Sequence, residues 1–242
     1  MNTEQNPLHI PFETFDPTAI LVIGAGGHGK SIVGIIQAMR NWRIVGFIDD
    51  SIQPGTRILD IPVVGSLKDL EKFQQKGIRL AANGVGGINK PQVRINIFAQ
   101  LARAGFVCPS LVHPSSVVEP SASLEAGVQV MPNCYIGPDC SIGFGSVLNN
   151  GVCLSHDTKI GRVVNLSPNA TLAGGVTIDD FSQIGMGATI NLNVSIGSWS
   201  RVGNSATIKD HVPDETIVRA GTIWPIRDSS KNKKPAEDQH VS

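Results

Sequence analysis

The chain has 242 residues with 20 basic and 20 acidic side chains, so its formal charge at neutral pH is zero. This balance does not favour a protein that binds nucleic acid or acidic lipid, and no apolar run approaches the ~20 residues that span a bilayer. Aromatic residues make up only 5% of the chain while 26 residues are glycine, which indicates closely stacked, repetitive backbone rather than an aromatic-centred core.

The N-terminal extension, residues 1–18, lacks the basic start and apolar centre of a signal peptide. The four cysteines, Cys108, Cys134, Cys140 and Cys153, show neither a CxxC nor a zinc-binding spacing. We therefore expect a cytoplasmic protein whose thiols are reduced and structural, and no bound metal.

Residues 19–108 alternate between strand and helix patterns, which predicts a small Rossmann-like α/β domain of βαβαβα order with a parallel sheet. The predicted strands are 20–23, 44–48 and 80–85, and the predicted helices are 31–39, 67–76 and 92–104.

The stretch 24-GAGGHGKS-31 follows the first strand and fits two glycine-loop patterns. One is the phosphate-binding loop of an ATP or GTP hydrolase, and the other is the turn of a dinucleotide-binding domain. The strand–helix unit ends near residue 107, which is too short for a hydrolase core, and half a Rossmann fold suits a mononucleotide better than a dinucleotide. A tight turn that binds nothing is a further alternative.

The favoured interpretation of this domain is a nucleotide-sugar site. The glycine loop would place backbone amides near a pyrophosphate or base, two acidic side chains after the second strand would accept hydrogen bonds from uracil and ribose, and a later glycine would permit close approach. The residues assigned to this site are Gly26, Gly27, His28, Asp49, Asp50 and Gly86.

From residue 110 a branched aliphatic residue recurs every six positions without a miss. A six-residue period fits neither an α-helix nor an alternating strand, but three such units make one 18-residue turn of a triangular coil. Residues 109–227 are therefore predicted to form a left-handed parallel β-helix of roughly five coils, and the polar tail 228–242 is expected to be disordered. The positions are Val112, Val118, Leu124, Val130, Ile136, Ile142, Leu148, Leu154, Ile160, Leu166, Leu172, Ile178, Ile184, Ile190, Ile196, Val202 and Ile208.

The phase of the repeat places His156 at a corner of the prism, because Leu154 points inward two residues earlier. Gly174 lies one coil later in the same column, about 4.8 Å away. A base and a bare backbone amide on one edge suit acyl transfer, which needs both a proton acceptor and an oxyanion donor. A solvated corner histidine with no function is the alternative.

Hexapeptide repeats behind a small nucleotide-binding domain resemble the bacterial acetyltransferases that act on nucleotide-linked amino sugars, of the bacillosamine and perosamine type, and the sialic acid O-acetyltransferase-like proteins. The resemblance covers about residues 18–227. The segments that carry it are 24-GAGGHGKS-31, 47-FIDD-50, 84-GVGGIN-89, 111-LVHPSSVV-118, 148-LNNGVCLSHDTKIG-161 and 166-LSPNATLAGG-175.

This resemblance implies a homotrimer that holds acetyl-CoA in the cleft between neighbouring β-helices. It places the catalytic base at His156, with Asp157 holding its tautomer. It also implies cofactor contacts from the residues that match Met186 and Asn204 on the neighbouring chain, where Gly203 would let the pantetheine arm pass. Gly174 would hold the thioester oxygen.

One position departs from the family pattern. Asn165 stands where relatives often carry a second histidine near the acetyl group. An asparagine can still donate a hydrogen bond to a carbonyl, but it cannot take up a proton.

The expected activity is therefore direct transfer of acetyl from acetyl-CoA to the amino group of a nucleotide-linked amino sugar. O-acetylation of a sugar is the enzymatic alternative, since the same base serves a hydroxyl. A trimeric zinc hydratase on the same helix is disfavoured because His156 is the one histidine well inside the repeats. A nucleotide-sugar-binding trimer without activity is the non-enzymatic alternative.

Overall fold

The computed structural model describes residues 16–86, 88 and 90–226. Most of the predicted N-terminal extension and all of the predicted disordered tail lie outside these residues. In the described part of the chain, no helix is both long enough and apolar enough to cross a membrane.

The N-terminal part is a five-stranded sheet in the order β3-β4-β2-β1-β5, with three α-helices around it. The strand β1, Ala19–Ile23, is wholly buried and pairs in parallel with two neighbours. The other strands are β2 (Arg43–Ile48), β3 (Arg57–Ile58), β4 (Ile61–Gly65) and β5 (Leu80–Asn83), and the helices are α1 (Gly27–Met39), α2 (Leu70–Gln75, preceded by a 3₁₀ turn over Leu67–Asp69) and α3 (Pro91–Arg103).

The hairpin of β3 and β4 was absent from the sequence prediction. β4 pairs in parallel with β2 although no helix lies between them, and β3 is antiparallel to β4, so the sheet is mixed. The two-residue turn Leu59-Asp60 has φ values of 50° and 58°. Such a turn usually carries Asn-Gly or Asp-Gly, so this pair gives no sequence signal for a hairpin.

The C-terminal part is a three-sided parallel β-helix built from two-residue strands. Face I consists of β6 (Leu111–Val112), β9 (Gln129–Val130), β12 (Val147–Leu148), β15 (Asn165–Leu166), β18 (Gln183–Ile184), β21 (Arg201–Val202) and β23 (Ile217–Val218). Face II consists of β7 (Val117–Val118), β10 (Tyr135–Ile136), β13 (Cys153–Leu154), β16 (Thr171–Leu172), β19 (Thr189–Ile190), β22 (Thr207–Ile208) and β24 (Ile223–Trp224). Face III consists of β8 (Ser123–Leu124), β11 (Ser141–Ile142), β14 (Lys159–Ile160), β17 (Thr177–Ile178) and β20 (Ser195–Ile196).

The six-residue period explains this architecture. Each of the 17 predicted branched residues is the second residue of a strand from β6 to β22, and these residues form one cluster inside the prism. Because side chains alternate along a strand, the first residue of each strand faces outward. Strands one coil apart pair in register, as Cys153 does with Thr171.

The prism is longer than the predicted five coils. Faces I and II have seven strands each, which makes more than six coils. The six-residue register stops after Ile208 because the last coil is shorter: Arg201 pairs with Ile217, 16 residues on, whereas Gln183 pairs with Arg201, 18 residues on. The last strands therefore fall out of phase with the repeat.

The N-terminal domain packs directly on the first coils of the β-helix. Residues of α1 share a buried cluster with Leu111 and Val147 of face I and with Met131, which directly follows β9. On the other side, the buried guanidinium of Arg94 on α3 donates a hydrogen bond of 3.0 Å to the carbonyl oxygen of Gly145. These contacts hold the carboxyl ends of the sheet strands beside the prism.

Candidate active site

His156 lies at the edge where face II meets face III, in the turn between β13 and β14. Its side chain is 62% exposed, and its Nδ1 lies 2.7 Å from the Asp157 Oδ2 atom. Asp157 has a φ of 58°, a left-handed conformation that aspartate tolerates better than most residues. A carboxylate can only accept, so Nδ1 carries the proton and the Nε2 lone pair is left free to accept one.

Gly174 lies directly beneath this imidazole, one coil along. A Cβ atom at position 174 would sit 2.5 Å from both Cε1 and Nε2 of His156. The neighbouring Gly175 N–H donates to the His156 carbonyl oxygen, whereas the Gly174 N–H has no hydrogen-bond partner among the described residues. The predicted juxtaposition of His156 and Gly174 is thus present, and their chemical roles stay predictions.

Met186 and Asn204 lie on a different edge, where face I meets face II. The Asn204 Oδ1 atom accepts a hydrogen bond of 2.9 Å from the Met186 N–H. The Met186 side chain is half exposed. Both residues line a cavity of about 670 Å³ that runs over the C-terminal half of face I. Gly203 lines it too, and a Cβ there would sit 2.4 Å from the Ala220 nitrogen, so stacking of the next coil also requires this glycine.

Within one chain the two halves of the predicted site do not meet. The His156 edge and the Met186–Asn204 edge are the two borders of face II, and His156 does not line the face I cavity. The predicted site would therefore be complete only where the His156 edge of one chain lies beside the cavity of another.

Asn165 is buried on face I rather than exposed at an edge. Its Nδ2 donates to Ser167 Oγ at 3.3 Å, and its Oδ1 accepts from Asn149 Nδ2 at 3.4 Å. Asn149 and Ser167 both line the face I cavity. The asparagine thus belongs to the cavity half of the site, and its predicted contact with the cofactor stays a prediction.

The glycine loop does not have the shape of a hydrolase phosphate-binding loop. Helix α1 already begins at Gly27, and the Lys30 N–H donates to the Gly26 carbonyl oxygen at 3.0 Å. The chain between Gly24 and Gly29 therefore does not wrap around a phosphate. Gly29 is needed for packing, since a Cβ there would lie 2.0 Å from the Gly24 carbonyl oxygen.

The two acidic residues after β2 brace the neighbouring loops. The Asp49 carboxylate accepts from the Ala25 N–H at 2.8 Å and from the Ser51 N–H at 2.9 Å, so each oxygen has a backbone partner. Asp50 accepts from the Leu67 N–H at 2.9 Å through one oxygen. Asp49 thus holds the glycine loop in place through the Ala25 N–H. The predicted contacts of Asp49 and Asp50 with uracil and ribose stay predictions.

His28 connects the glycine loop to the β-helix. Its Nε2 lies 2.8 Å from the Gln129 Oε1 atom, while Gln129 Nε2 donates to the Asn83 carbonyl oxygen at 2.8 Å. The amide oxygen of Gln129 must therefore accept, so His28 Nε2 donates and Nδ1 is an acceptor. Gly86 lies next to this ring, with a built Cβ 3.6 Å from the His28 Cβ. The residues Gly26, Gly27, His28 and Gly86 thus come together at the carboxyl ends of the strands.

The buried His28 makes stability depend on pH. Burial, together with the positive charge of Arg94, lowers the pKa of His28 from 6.5 to about 4. Unfolded His28 takes up a proton at higher pH than folded His28, so its contribution to stability is complete above pH 6.5 and is lost as the pH falls towards 4. We expect a loss of up to about 3 kcal/mol in the free energy of unfolding across this window.

Chemical denaturation of the wild type and of His28→Gln at the two ends of this window, pH 6.5 and about pH 4, measures this effect. The variant lacks the titrating group, so the difference between the two proteins isolates His28 from the carboxylates. An equal pH dependence in both proteins would contradict the expectation.

Both halves of the chain match known family models. Residues 19–101 match the PglD N-terminal domain, and residues 115–150 match the bacterial transferase hexapeptide model of six repeats. The acetyltransferase domain of PglB from Neisseria gonorrhoeae FA1090 is 30% identical, with a TM-score of 0.77 and coverage of 84% of this chain and 97% of that chain. This chain belongs to the hexapeptide-repeat acetyltransferase family.

Two further solved structures of this family bear on the ligands. The same PglB domain in complex with acetyl coenzyme A is 29% identical, covers 86% of this chain and 99% of that chain, and has a TM-score of 0.79. A histidine-to-asparagine variant of perosamine N-acetyltransferase from Caulobacter crescentus, in complex with CoA and GDP-perosamine, is 27% identical over 85% of this chain and 95% of that chain, with a TM-score of 0.79. Among curated proteins, none matches the sequence significantly.

These comparisons confirm the predicted fold class, a Rossmann-like α/β domain followed by a left-handed parallel β-helix, and the predicted family. Over the described ranges, this hexapeptide-repeat acetyltransferase has no group of three or more His, Cys, Asp or Glu side chains placed to hold a metal ion.

Proposed function

We propose that the protein transfers the acetyl group of acetyl-CoA to the amino group of a nucleotide-linked amino sugar. The observation that carries the proposal is the exposed His156–Asp157 pair above the Gly174 amide, on a prism joined to a PglD-type domain. The relatives solved with acetyl coenzyme A and with GDP-perosamine support both substrate classes. Acetyl-CoA and nucleotide sugars are cytoplasmic metabolites, so the reaction is placed in the cytoplasm.

The transfer runs in one ternary complex. The sugar amine attacks the thioester carbonyl carbon, and His156 Nε2 takes a proton from the attacking nitrogen while Asp157 stabilises the imidazolium. The Gly174 N–H donates to the carbonyl oxygen as it gains negative charge. The C–S bond then breaks, and the leaving thiolate of coenzyme A takes the proton from His156.

No covalent intermediate on the enzyme is needed. Cys153 is the nearest thiol in sequence to His156 and is half-buried on face II, but within the described ranges no basic side chain forms a hydrogen bond with its sulfur. A thiol without such a partner is a weak nucleophile at neutral pH.

The active unit is a homotrimer in which face II forms the interface between chains. Its outward residues carry no charge on any of the seven strands, and they are not covered by the N-terminal domain. Packing of this face around a three-fold axis places the His156 edge of one chain beside the Met186–Asn204 edge of the next, which completes the site. The residues are Val117, Tyr135, Cys153, Thr171, Thr189, Thr207 and Ile223.

The substitution Thr189→Arg is expected to disperse the trimer and abolish activity, because it buries an unpaired charge in the middle of face II. The mass in solution should fall from three times 25.7 kDa to 25.7 kDa. Light scattering coupled to size-exclusion chromatography measures it. The matched control is Thr177→Arg, which puts the same charge on face III and should leave the trimer intact; dispersal by both variants or by neither would contradict the assignment of face II.

The proposed function is tested by release of the coenzyme A thiol with a panel of UDP-, GDP- and dTDP-linked amino sugars. Thiol release with at least one amino sugar, and a product acetylated on nitrogen by NMR, is the expected result. Acetylation on oxygen would identify a sugar O-acetyltransferase instead. Binding of nucleotide sugar without any affinity for acetyl-CoA in calorimetry would identify a non-catalytic trimer.

A further inference from the structure

A second cavity, of about 420 Å³, lies on the opposite side of face I from the Met186–Asn204 edge. It opens between the first turn of α3 and the edge where face III meets face I. Pro91 and Val93 line it from α3, while Phe181 and Trp199 line it from the β-helix. It contains none of the residues assigned so far to acetyl transfer or to the glycine loop.

The two aromatic residues form a stacked pair on successive coils. The ring centroids of Phe181 and Trp199 lie 4.5 Å apart with an interplanar angle of 31°. Both residues have positive φ, 65° for Phe181 and 58° for Trp199. Bulky side chains rarely adopt this left-handed conformation, since their Cβ approaches the following carbonyl oxygen.

Away from this edge, the corners use residues that accept this conformation readily. At the other two edges, the positive-φ positions of the described coils carry glycine or a small polar residue: Asn133, Asp139, Asp157, Asn169, Asn193 and Ser205. Along the Trp199 edge, Gly127 and Gly145 lie under the ring of Phe98. Val163 and Glu215 also have positive φ on this edge, and Val163 is buried. Trp199 is still 42% exposed, so burial does not account for a tryptophan at this strained corner. Strain of this kind collects at binding sites.

The two charged residues that line the cavity are both positive. Lys90 and Arg201 both line it, and within the described residues neither forms an ion pair with a carboxylate. Helix α3 points its N-terminus at the cavity with no side-chain cap and no acidic residue in its first turn. Asp180, next to Phe181, is held by Arg162 at 2.6 Å. Two further acids lie one coil beyond Trp199: Asp214 accepts a hydrogen bond of 2.8 Å from the Ser198 N–H, and Glu215 occupies the next corner of the same edge. None of these three carboxylates lines the cavity.

We propose that this cavity binds a nucleotide, whose base stacks on Trp199 and whose phosphate lies between Lys90 and Arg201. An aromatic platform beside two cations and a helix N-terminus recognises a flat base and an anion together. Both substrates of the proposed function, on which this inference rests, carry that chemistry: the 3′-phosphoadenosine end of coenzyme A and the nucleoside diphosphate of the sugar. Arg201 also lines the face I cavity, so the two cavities lie next to each other along face I.

The test replaces the aromatic platform without disturbing the corner. Asparagine is the residue that the fold itself places at equivalent positive-φ corners, so Trp199→Asn should keep the coil intact, and Trp199→Phe should keep the stacking surface. Calorimetry with the full-length trimer measures binding of 3′,5′-ADP, UDP and GDP to each protein. The nucleotide that uses the site should bind about 5- to 150-fold more weakly to Trp199→Asn and nearly normally to Trp199→Phe.

A second variant separates the base from the phosphate. In Lys90→Gln the preference for 3′,5′-ADP over adenosine, or for UDP over uridine, should shrink, whereas affinity for the unphosphorylated nucleoside should not change. Equal affinities of wild type and Trp199→Asn for all three nucleotides, or no binding of any of them, would overturn the inference. If acetyl transfer is measured in the same preparations, the proposed function survives that result; absence of both acetyl-CoA binding and transfer would remove the two together.

Discussion

Replacement of His156 by alanine is expected to lower kcat for acetyl transfer by about 10²- to 10⁴-fold, the usual contribution of a positioned general base. Among the described residues, only His156 places an unpaired ring nitrogen beside the unpaired N–H of Gly174. Because its side chain is 62% exposed and holds no other element in place, the fold should not change. Coenzyme A thiol release under saturating substrates measures the loss.

Asp157→Asn provides the matched comparison. Asparagine tolerates the left-handed corner at φ 58°, so the coil keeps its shape. The neutral amide can present either its oxygen or its NH2 group to Nδ1, so it fixes the tautomer less firmly, and it does not stabilise the imidazolium. Its kcat should fall less than that of His156→Ala, with an unchanged midpoint of thermal denaturation. A His156→Ala enzyme with wild-type kcat would remove this histidine from the chemistry, whatever the behaviour of Asp157→Asn.

The β-helix was predictable because its code is local and repeated. An inward branched residue every six positions fixes the coil, and the same phase places His156 above Gly174 with no long-range information. The short last coil escaped prediction because it breaks that period. The hairpin at Leu59 and Asp60 escaped for a similar reason, since neither residue is typical of a positive-φ turn.

The contacts between domains could not be predicted from the sequence. Gln129 occupies an outward position of the repeat, where a polar residue normally faces water, yet it is 2% exposed and holds both His28 and the Asn83 carbonyl. Arg94 looks like a surface residue of an amphipathic helix but is equally buried. The burial of Gln129 and Arg94 depends on how the N-terminal sheet packs against the β-helix. No residue pattern within either domain predicts that packing.

The acetyl site depends on a further level of structure. The family resemblance assigned His156 and the Met186–Asn204 column to a cleft between neighbouring chains, and within one chain the two lie on different borders of face II, so this assignment stays a prediction. Only packing of chains brings them together, so the site is a property of the proposed trimer. The uncharged row on face II is the feature of a single chain that supports this proposed assembly.

The substitution Gly174→Ala is expected to reduce kcat/KM by about 100-fold, because displacement of reacting groups by ~1 Å can cost that much rate. The new methyl group would occupy a position 2.5 Å from two ring atoms of His156, so the imidazole must swing away from the Gly174 amide and from Asp157. Gly174 is not among the glycines with positive φ, so the alanine backbone is unstrained and the midpoint of thermal denaturation should hold. Steady-state kinetics and a crystal structure of the variant measure the two effects.

A double-variant cycle decides whether the effect runs through the imidazole. In the His156→Ala background the ring is gone and the methyl group has room, so Gly174→Ala should add little further loss. If the alanine instead lowers kcat/KM by the same factor in both backgrounds, the glycine acts independently of the base, for example by admitting the acyl chain to the backbone. The cycle thereby separates support of His156 from direct contact with the thioester, because only the former disappears with the ring.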